Sequence, residues 1–190
     1  MMKSIFVLFI CVMMIMSCDN NSKLSEEILL FQKKSVLLTK QSLLITKEEE
    51  EIITNDVQKG LKYIIYKDSL DCTSCAINRM YFWNDFIKYA KLFNGQLKYY
   101  FIYSPSKMER KHVEFILKNG NFDFPILLDT LGEFEKLNPH LPKNRTLHSF
   151  LLDENNHVIL VGDPLSNKKI KKMFYKIVEE KLGKPSIQNN

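Results

Sequence analysis

Asp71-Cys72-Thr73-Ser74-Cys75-Ala76 stands between two stretches of different periodicity. Before it, Leu61-Lys62-Tyr63-Ile64-Ile65-Tyr66 is an apolar run of strand length. After it, Ala76 to Leu92 is a long amphipathic stretch. A CxxC at a strand-to-helix junction has a chemical use. The start of a helix leaves N–H groups without partners and carries a partial positive charge. Both favour thiolate over thiol, which makes the first cysteine a nucleophile near neutral pH. The second lies one turn further on, near enough to resolve a mixed disulfide. The placement reads as a redox site at Cys72 and Cys75.

Working outward, the sequence predicts alternating elements. Leu61 to Tyr66 reads as a buried strand. Thr73 to Leu92 reads as one helix, with Ala76, Ile77, Met80, Trp83, Ile87 and Ala90 along a stripe. Asn94-Gly95 stops it. Leu97 to Tyr103 is strand-like in its aromatic and aliphatic content and is broken by Ser104-Pro105. Lys107 to Lys118 makes a second helix, Pro125 to Leu128 a short strand and Leu131 to Leu137 a short helix. Leu147 to Leu152 and His157 to Val161 pair as a hairpin about Glu154-Asn155-Asn156. A final helix starts at Ser166 and ends at Gly183 and Pro185. Alternation in the first half implies parallel strands with right-handed crossovers. Upstream, Leu24 to Lys34 has helical spacing, and Val36 to Leu38 and Leu43 to Ile45 suit short strands.

The opening of the chain is read as an export signal. Met1-Met2-Lys3 is a short basic start, followed by an apolar run to Met16. That run is shorter than the roughly 20 residues a spanning helix needs and fits the core of a secretory signal. It ends in Ile15-Met16-Ser17-Cys18, which resembles a bacterial lipobox, and turns polar at Asp19-Asn20-Asn21. The resemblance implies cleavage before Cys18 and a lipid on its thiol, with membrane attachment through acyl chains. The expected layout is residues 1–17 as signal, 18–59 as tether and N-terminal extension, 60–183 as the domain and 184–190 as a tail. Cys11 then leaves with the signal and Cys18 is acylated, so Cys72 and Cys75 are the reactive pair. An exported chain lives where disulfides persist. Zinc would require two further ligands, and no second CxxC or close histidine pair supplies them.

Composition excludes other classes. The net charge is +5 over 190 residues, and without the signal 26 bases face 22 acids. The one basic cluster, Lys168, Lys169, Lys171, Lys172 and Lys176, falls on a predicted helix whose other face is apolar, so it reads as a solvated face and not as a nucleic-acid surface. No nucleotide-binding glycine pattern, G-x-S-x-G or H-E-x-x-H occurs.

Three stretches carry a family resemblance. They are Tyr66 to Cys75, Phe124-Pro125-Ile126-Leu127-Leu128-Asp129, and Ser149-Phe150-Leu151-Leu152-Asp153 followed by Asn155 to Ile159. Together they make residues 60–182 resemble the thioredoxin-like superfamily, in the branch of exported TlpA-like and AhpC/TSA-like proteins. The resemblance implies an α/β thioredoxin-like fold, with a central mixed sheet, helices on both faces, a C-terminal antiparallel hairpin and a final helix. It also shows departures. Leu147 stands where family members place a cis-proline, and a trans bond is expected there because a non-proline cis bond costs ~2.5–4 kcal/mol. Asp71 replaces the usual tryptophan before the first cysteine. Tyr66 stands six residues before Cys72, where thioredoxin carries a buried acid.

The expected function is a lipid-anchored thiol–disulfide oxidoreductase of the bacterial envelope, facing the periplasm. Cys72 attacks and Cys75 resolves, and neither cofactor nor metal takes part. Its partners are protein or small-molecule disulfides, a thiol–disulfide electron partner, and the membrane through Cys18. Two alternatives accompany this reading. One is a peroxiredoxin-like peroxide reductase, suggested by Ser69 three residues before Cys72. The other is a non-enzymatic module in which the two thiolates hold a soft metal, with His148 as a third ligand.

Overall fold

The computed structural model describes residues 22–38, 43–45, 60–120 and 126–185. The predicted signal, Cys11 and Cys18 lie outside these residues, as do the acidic run Glu48 to Glu51 and Pro125. A first helix, α1, covers 22–31. The remaining elements are β1 (Leu43–Ile45), β2 (Leu61–Lys67), α2 (Thr73–Asn78), α3 (Asn84–Lys91), β3 (Leu97–Tyr103), α4 (Arg110–Asn119), β4 (Ile126–Leu128), α5 (Glu133–Leu137), β5 (Ser149–Leu152), β6 (Val158–Val161) and α6 (Lys168–Leu182). Two 3-10 turns, Met80–Trp83 and Arg145–Leu147, interrupt the order.

The strands form one sheet in the order β1-β4-β3-β2-β5-β6. β2, β3 and β4 are parallel, while β5, β6 and β1 are added antiparallel. Each parallel step runs through a helix and moves the same way across the sheet, so both crossovers lie on one face. Alternate residues of each strand serve opposite faces. Tyr63, Tyr99, Phe101 and Leu128 pack with Ile77, Trp83, Phe86, Val113, Phe174 and Val178 from α2, α3, α4 and α6. Ile64, Tyr66, Ile102 and Phe150 pack on the other face with Phe31 and Phe134 from α1 and α5. Strands buried on both sides need no polar alternation, which explains the nearly continuous apolar runs of β2 and β3.

The segment upstream of Gly60 contributes to the second face. Phe31 meets Phe150 edge-on at 5.0 Å, and Val36 and Leu38 are buried. The expected strand at Val36 to Leu38 does not form. The chain makes one bridge, Ser35 to His157, and Val36 N donates to Asn156 O at 2.9 Å. Beyond that the partner is a side chain. Leu37 N donates to Asn138 Oδ1 (2.8 Å) and Asn138 Nδ2 donates back to Leu37 O (2.9 Å). The fully buried Asn138 thus offers an amide in place of a neighbouring strand, which satisfies backbone groups that burial would otherwise orphan.

The long helix expected over Thr73 to Leu92 is broken. α2 ends at Asn78, Met80–Trp83 winds as a 3-10 turn, and α3 begins at Asn84. Ile77, Met80, Trp83 and Phe86 are buried and recur every three residues, which is the period of a 3-10 helix. The tighter winding turns Phe86 inward and leaves Ile87, expected in the core, at its edge. Later in the chain α6 is capped by Asn167, whose Oδ1 accepts Lys169 N and Ile170 N. Gly162 precedes it at φ +116°, where a side chain would be strained and would run into Ile170.

Lys62 is the one lysine among the described buried residues. Its Nζ reaches the carbonyls of Asp153 and Glu154 at 3.4 Å each. Burial lowers its pKa, against the opposing pull of Asp153 and Glu154. The charged form is therefore penalised in the folded chain, and stability rises with pH between the lowered folded value and the unfolded one of 10.5. Lys62→Met is expected to stabilise the protein by about 1 kcal/mol at neutral pH. The gain should shrink toward pH 10 in thermal unfolding experiments.

Candidate functional site

β2 ends at Lys67, and four residues carry the chain to the pair. Asp68 shapes this turn. Its Oδ1 accepts Leu70 N at 2.8 Å, and its carbonyl accepts Asp71 N. Cys72 follows in extended conformation as the N-cap of α2, and its Sγ accepts Cys75 N–H at 3.3 Å. The two sulfurs are joined in a disulfide, with Cα atoms 5.3 Å apart. Both cysteines are exposed, while Thr73 between them is fully buried and anchors the turn. The structure therefore brings Cys72 and Cys75 together at the surface, at the strand-to-helix junction the sequence indicates.

Two segments approach the pair, the turn into β5 and the start of α4. From the first, Arg145 places Nη1 at 3.5 Å from Asp71 Oδ1 and 3.8 Å from Asp68 Oδ1. Its guanidinium offsets the carboxylate that precedes Cys72, although a side chain this exposed contributes only about 0–1 kcal/mol per pair. From the second, Glu109 accepts the Ser74 hydroxyl at 3.3 Å. The first also carries Leu147 and His148. Leu147 is buried there, and no cis peptide bond occurs among the described residues, so the bond preceding it is trans. His148 is turned into the core. Its Nε2–H donates to Pro142 O at 2.8 Å, its carbonyl accepts Tyr66 N, and its ring lies 5.3 Å from that of Tyr66. That orientation does not bring His148 to the sulfurs as a metal ligand. No group of three or more His, Cys, Asp or Glu able to hold a metal gathers among the described residues.

Two open clefts flank the disulfide. The larger, about 530 Å³, is lined by Lys67, Ala76, Arg79, Phe82, Trp83 and Asp163 among others. The smaller, about 440 Å³, lies along Lys67, Asp71 and residues 143–146. Phe82 is half exposed at the rim of the larger cleft, with the Arg79 guanidinium 5.9 Å above its ring. Tyr66 is buried, and burial is the main reason its phenol pKa is raised. The position therefore holds a neutral group.

A CxxC that follows the central parallel strand, opens the next helix, and faces the turn into an antiparallel hairpin fixes the architecture. The fold is thioredoxin-like. No protein-family model matches the chain, and no curated protein matches it. Solved structures similar to it include StoA from Bacillus subtilis (19% identity, 71% of this chain and 98% of that one, TM-score 0.44). Another, from Chlorobium tepidum, is assigned as a thiol:disulfide interchange protein DsbE (17% identity, 65% and 83%, TM-score 0.46). A third is the exposed lipoprotein thioredoxin of Streptococcus pneumoniae (14% identity, 64% and 87%, TM-score 0.43). Within this thioredoxin-like frame, Arg145 and Glu109 are the site residues that sequence reasoning misses. Glu109 lies 35 residues beyond Ser74 in a helix whose start reads as ordinary solvated surface, so nothing local signals it.

Proposed function

We propose that the protein is a thiol–disulfide oxidoreductase held at the envelope membrane by a lipid on Cys18. The observation that carries the reading is an exposed disulfide whose first sulfur already accepts a backbone N–H of the helix it opens. That donor favours Cys72 as thiolate once the pair is reduced. The Cys72 thiolate attacks a substrate disulfide, forming a mixed disulfide and expelling one substrate thiolate. Cys75 then attacks Cys72 Sγ, restores the 72–75 disulfide and expels the second. Two electrons pass from the pair to the substrate, and the two cysteine protons end on the product thiols. A separate dithiol partner reduces the pair again. The clefts on either side, with Phe82 and Leu165 on one rim and Arg145 on the other, leave room for a polypeptide disulfide. No helix of the described residues is long and apolar enough to cross a membrane, and the proposed tether is the lipid alone.

The test is trapping. Cys75→Ser leaves the attacking sulfur without its resolver, so the variant should accumulate mixed disulfides through Cys72, visible as reductant-sensitive adducts on gels. A Cys75→Ser protein that forms none, with Cys72 free to be alkylated, would contradict the assignment. Incorporation of labelled fatty acid, lost in Cys18→Ser, tests the anchor separately.

A further inference from the structure

Ser74 Oγ stands between two groups that compete for its proton. It lies 3.6 Å from Cys72 Sγ and donates to Glu109 Oε1 at 3.3 Å. Glu109 occupies the N-cap position of α4, yet its side chain makes no capping bond there. Ser106 Oγ accepts its backbone N–H instead. The carboxylate is thus spent on Ser74 and not on its own helix.

We propose that Glu109, acting through the Ser74 hydroxyl, sets the acidity of the Cys72 thiol and with it the reduction potential of the pair. The proposal rests on the thiol–disulfide reading above. A serine hydroxyl has one proton to donate. In the oxidised protein the neighbouring sulfur is a weak acceptor, and the carboxylate takes the bond. A dithiol donor that reduces the pair passes it two electrons and two protons. The S–S bond breaks, both cysteines become thiols, and the donor becomes a disulfide. When the Cys72 thiol then loses its proton to solvent, its thiolate meets a hydroxyl already committed to Glu109. It forgoes that hydrogen bond and also faces a second negative charge. Both effects hold the thiol pKa up. A less stabilised thiolate means a less stabilised reduced form, hence a lower potential and a stronger reductant. Glu109 is in this sense a positioning residue, since it touches Ser74 and not the sulfur.

Other charges face the same pair. Asp68 and Asp71 come from the preceding turn, Lys143 and Arg145 from the segment before β5, Lys67 from the end of β2, Arg79 from the end of α2 and Asp163 from the loop before α6. Arg110, beside Glu109, is committed to Thr130 O at 2.6 Å. These groups stay constant in a double-mutant cycle, which isolates the route through Ser74.

The cycle uses the full chain as wild type, Ser74→Ala, Glu109→Ala and the double variant. Two quantities are read in each. One is the pH dependence of iodoacetamide alkylation of Cys72 in the reduced protein, followed on the peptide that contains it. The other is the potential at equilibrium with glutathione. Glu109→Ala removes no capping bond, so the fold is expected to persist. In the Ser74 background it should raise the alkylation rate below the thiol pKa by about threefold to tenfold, since one pKa unit is tenfold in thiolate. The potential should rise with it. In the Ser74→Ala background the same change should move either readout by less than half as much, since only the through-space effect of the Glu109 charge remains there. Equal effects in both backgrounds, or none in either, overturn the proposal and leave the oxidoreductase reading standing. A wild-type pair that does not cycle between dithiol and disulfide overturns both.

Discussion

Cys72→Ser is expected to reduce insulin disulfides no faster than the assay without protein. The loss is complete because the substitution removes the atom that changes oxidation state. A serine oxygen forms no disulfide, so neither the mixed intermediate nor the 72–75 bond can exist. The same substitution should leave the fold almost untouched. Cys72 is the N-cap of α2, where its sulfur accepts Cys75 N–H. Serine is among the preferred residues at that position and accepts the same bond with a better acceptor. Only two residues separate the cysteines, so opening their loop returns little chain entropy. Melting of Cys72→Ser should fall within about 0.5 kcal/mol of the reduced wild type, as for a surface change without a named mechanism. Activity at wild-type level in Cys72→Ser would place the chemistry elsewhere in the molecule.

That separation of chemistry from stability reflects what the sequence makes visible. β2 and β3 are legible because strands buried on both faces leave long apolar runs, and the hairpin is legible because Asp153 and Asn156 build its turn locally. Asp153 Oδ1 accepts Asn155 N and His157 N, and Asn156 takes φ +63°. The end of α6 is legible for the same reason, through Gly183 at φ +83°. The break at Arg79 is harder to see. A buried stripe at every third residue over Ile77 to Phe86 fits inside a wider α-helical stripe, and the pattern does not say which period wins. Packing against Tyr63 and Phe101 decides, since Trp83 meets both rings within 5.9 Å. The edge at Leu37 could not be read at all, because its partner is a side chain 101 residues away.

The candidate site divides along the same line. Cys72 and Cys75 are visible because one turn of chain contains the whole motif. The groups that surround them arrive from distant segments, Glu109 from α4 and Arg145 from the turn before β5, and single charges at those places have no signature. His148 shows the opposite failure. A histidine beside Leu147 suggests a ligand near the sulfurs, but the trans turn sends its ring inward to Pro142 and Tyr66.

The core also sets an upper pH limit on the fold. Tyr63, Tyr66, Tyr99 and Tyr103 are buried in β2 and β3, and burial raises the phenol pKa of each. In the unfolded chain these phenols lose their protons near pH 10. Above that pH the unfolded state binds fewer protons than the folded one, so stability falls as pH rises. At full separation of the two states, four such groups remove about 5 kcal/mol per pH unit. Lys62 works in the other direction as a single group, and its contribution ends once pH passes its unfolded value of 10.5. Against a typical stability of about 5–15 kcal/mol, the balance places cooperative unfolding between about pH 11 and 13. Tyrosinate absorbance and far-UV circular dichroism should therefore change together, in one transition. Two variants separate ionisation from packing. Tyr63 donates to Gly162 O at 2.8 Å, so Tyr63→Phe should cost about 1 kcal/mol at neutral pH and yet move the alkaline midpoint less than that cost implies, because an ionisable group has gone. The Tyr99 hydroxyl is buried without a hydrogen-bond partner among the described residues. Tyr99→Phe should thus cost nothing at neutral pH and raise the alkaline midpoint outright. Gradual tyrosinate formation with the helical signal intact would show that these rings ionise inside the folded protein, and that the aromatic layer between β2, β3 and α6 admits solvent.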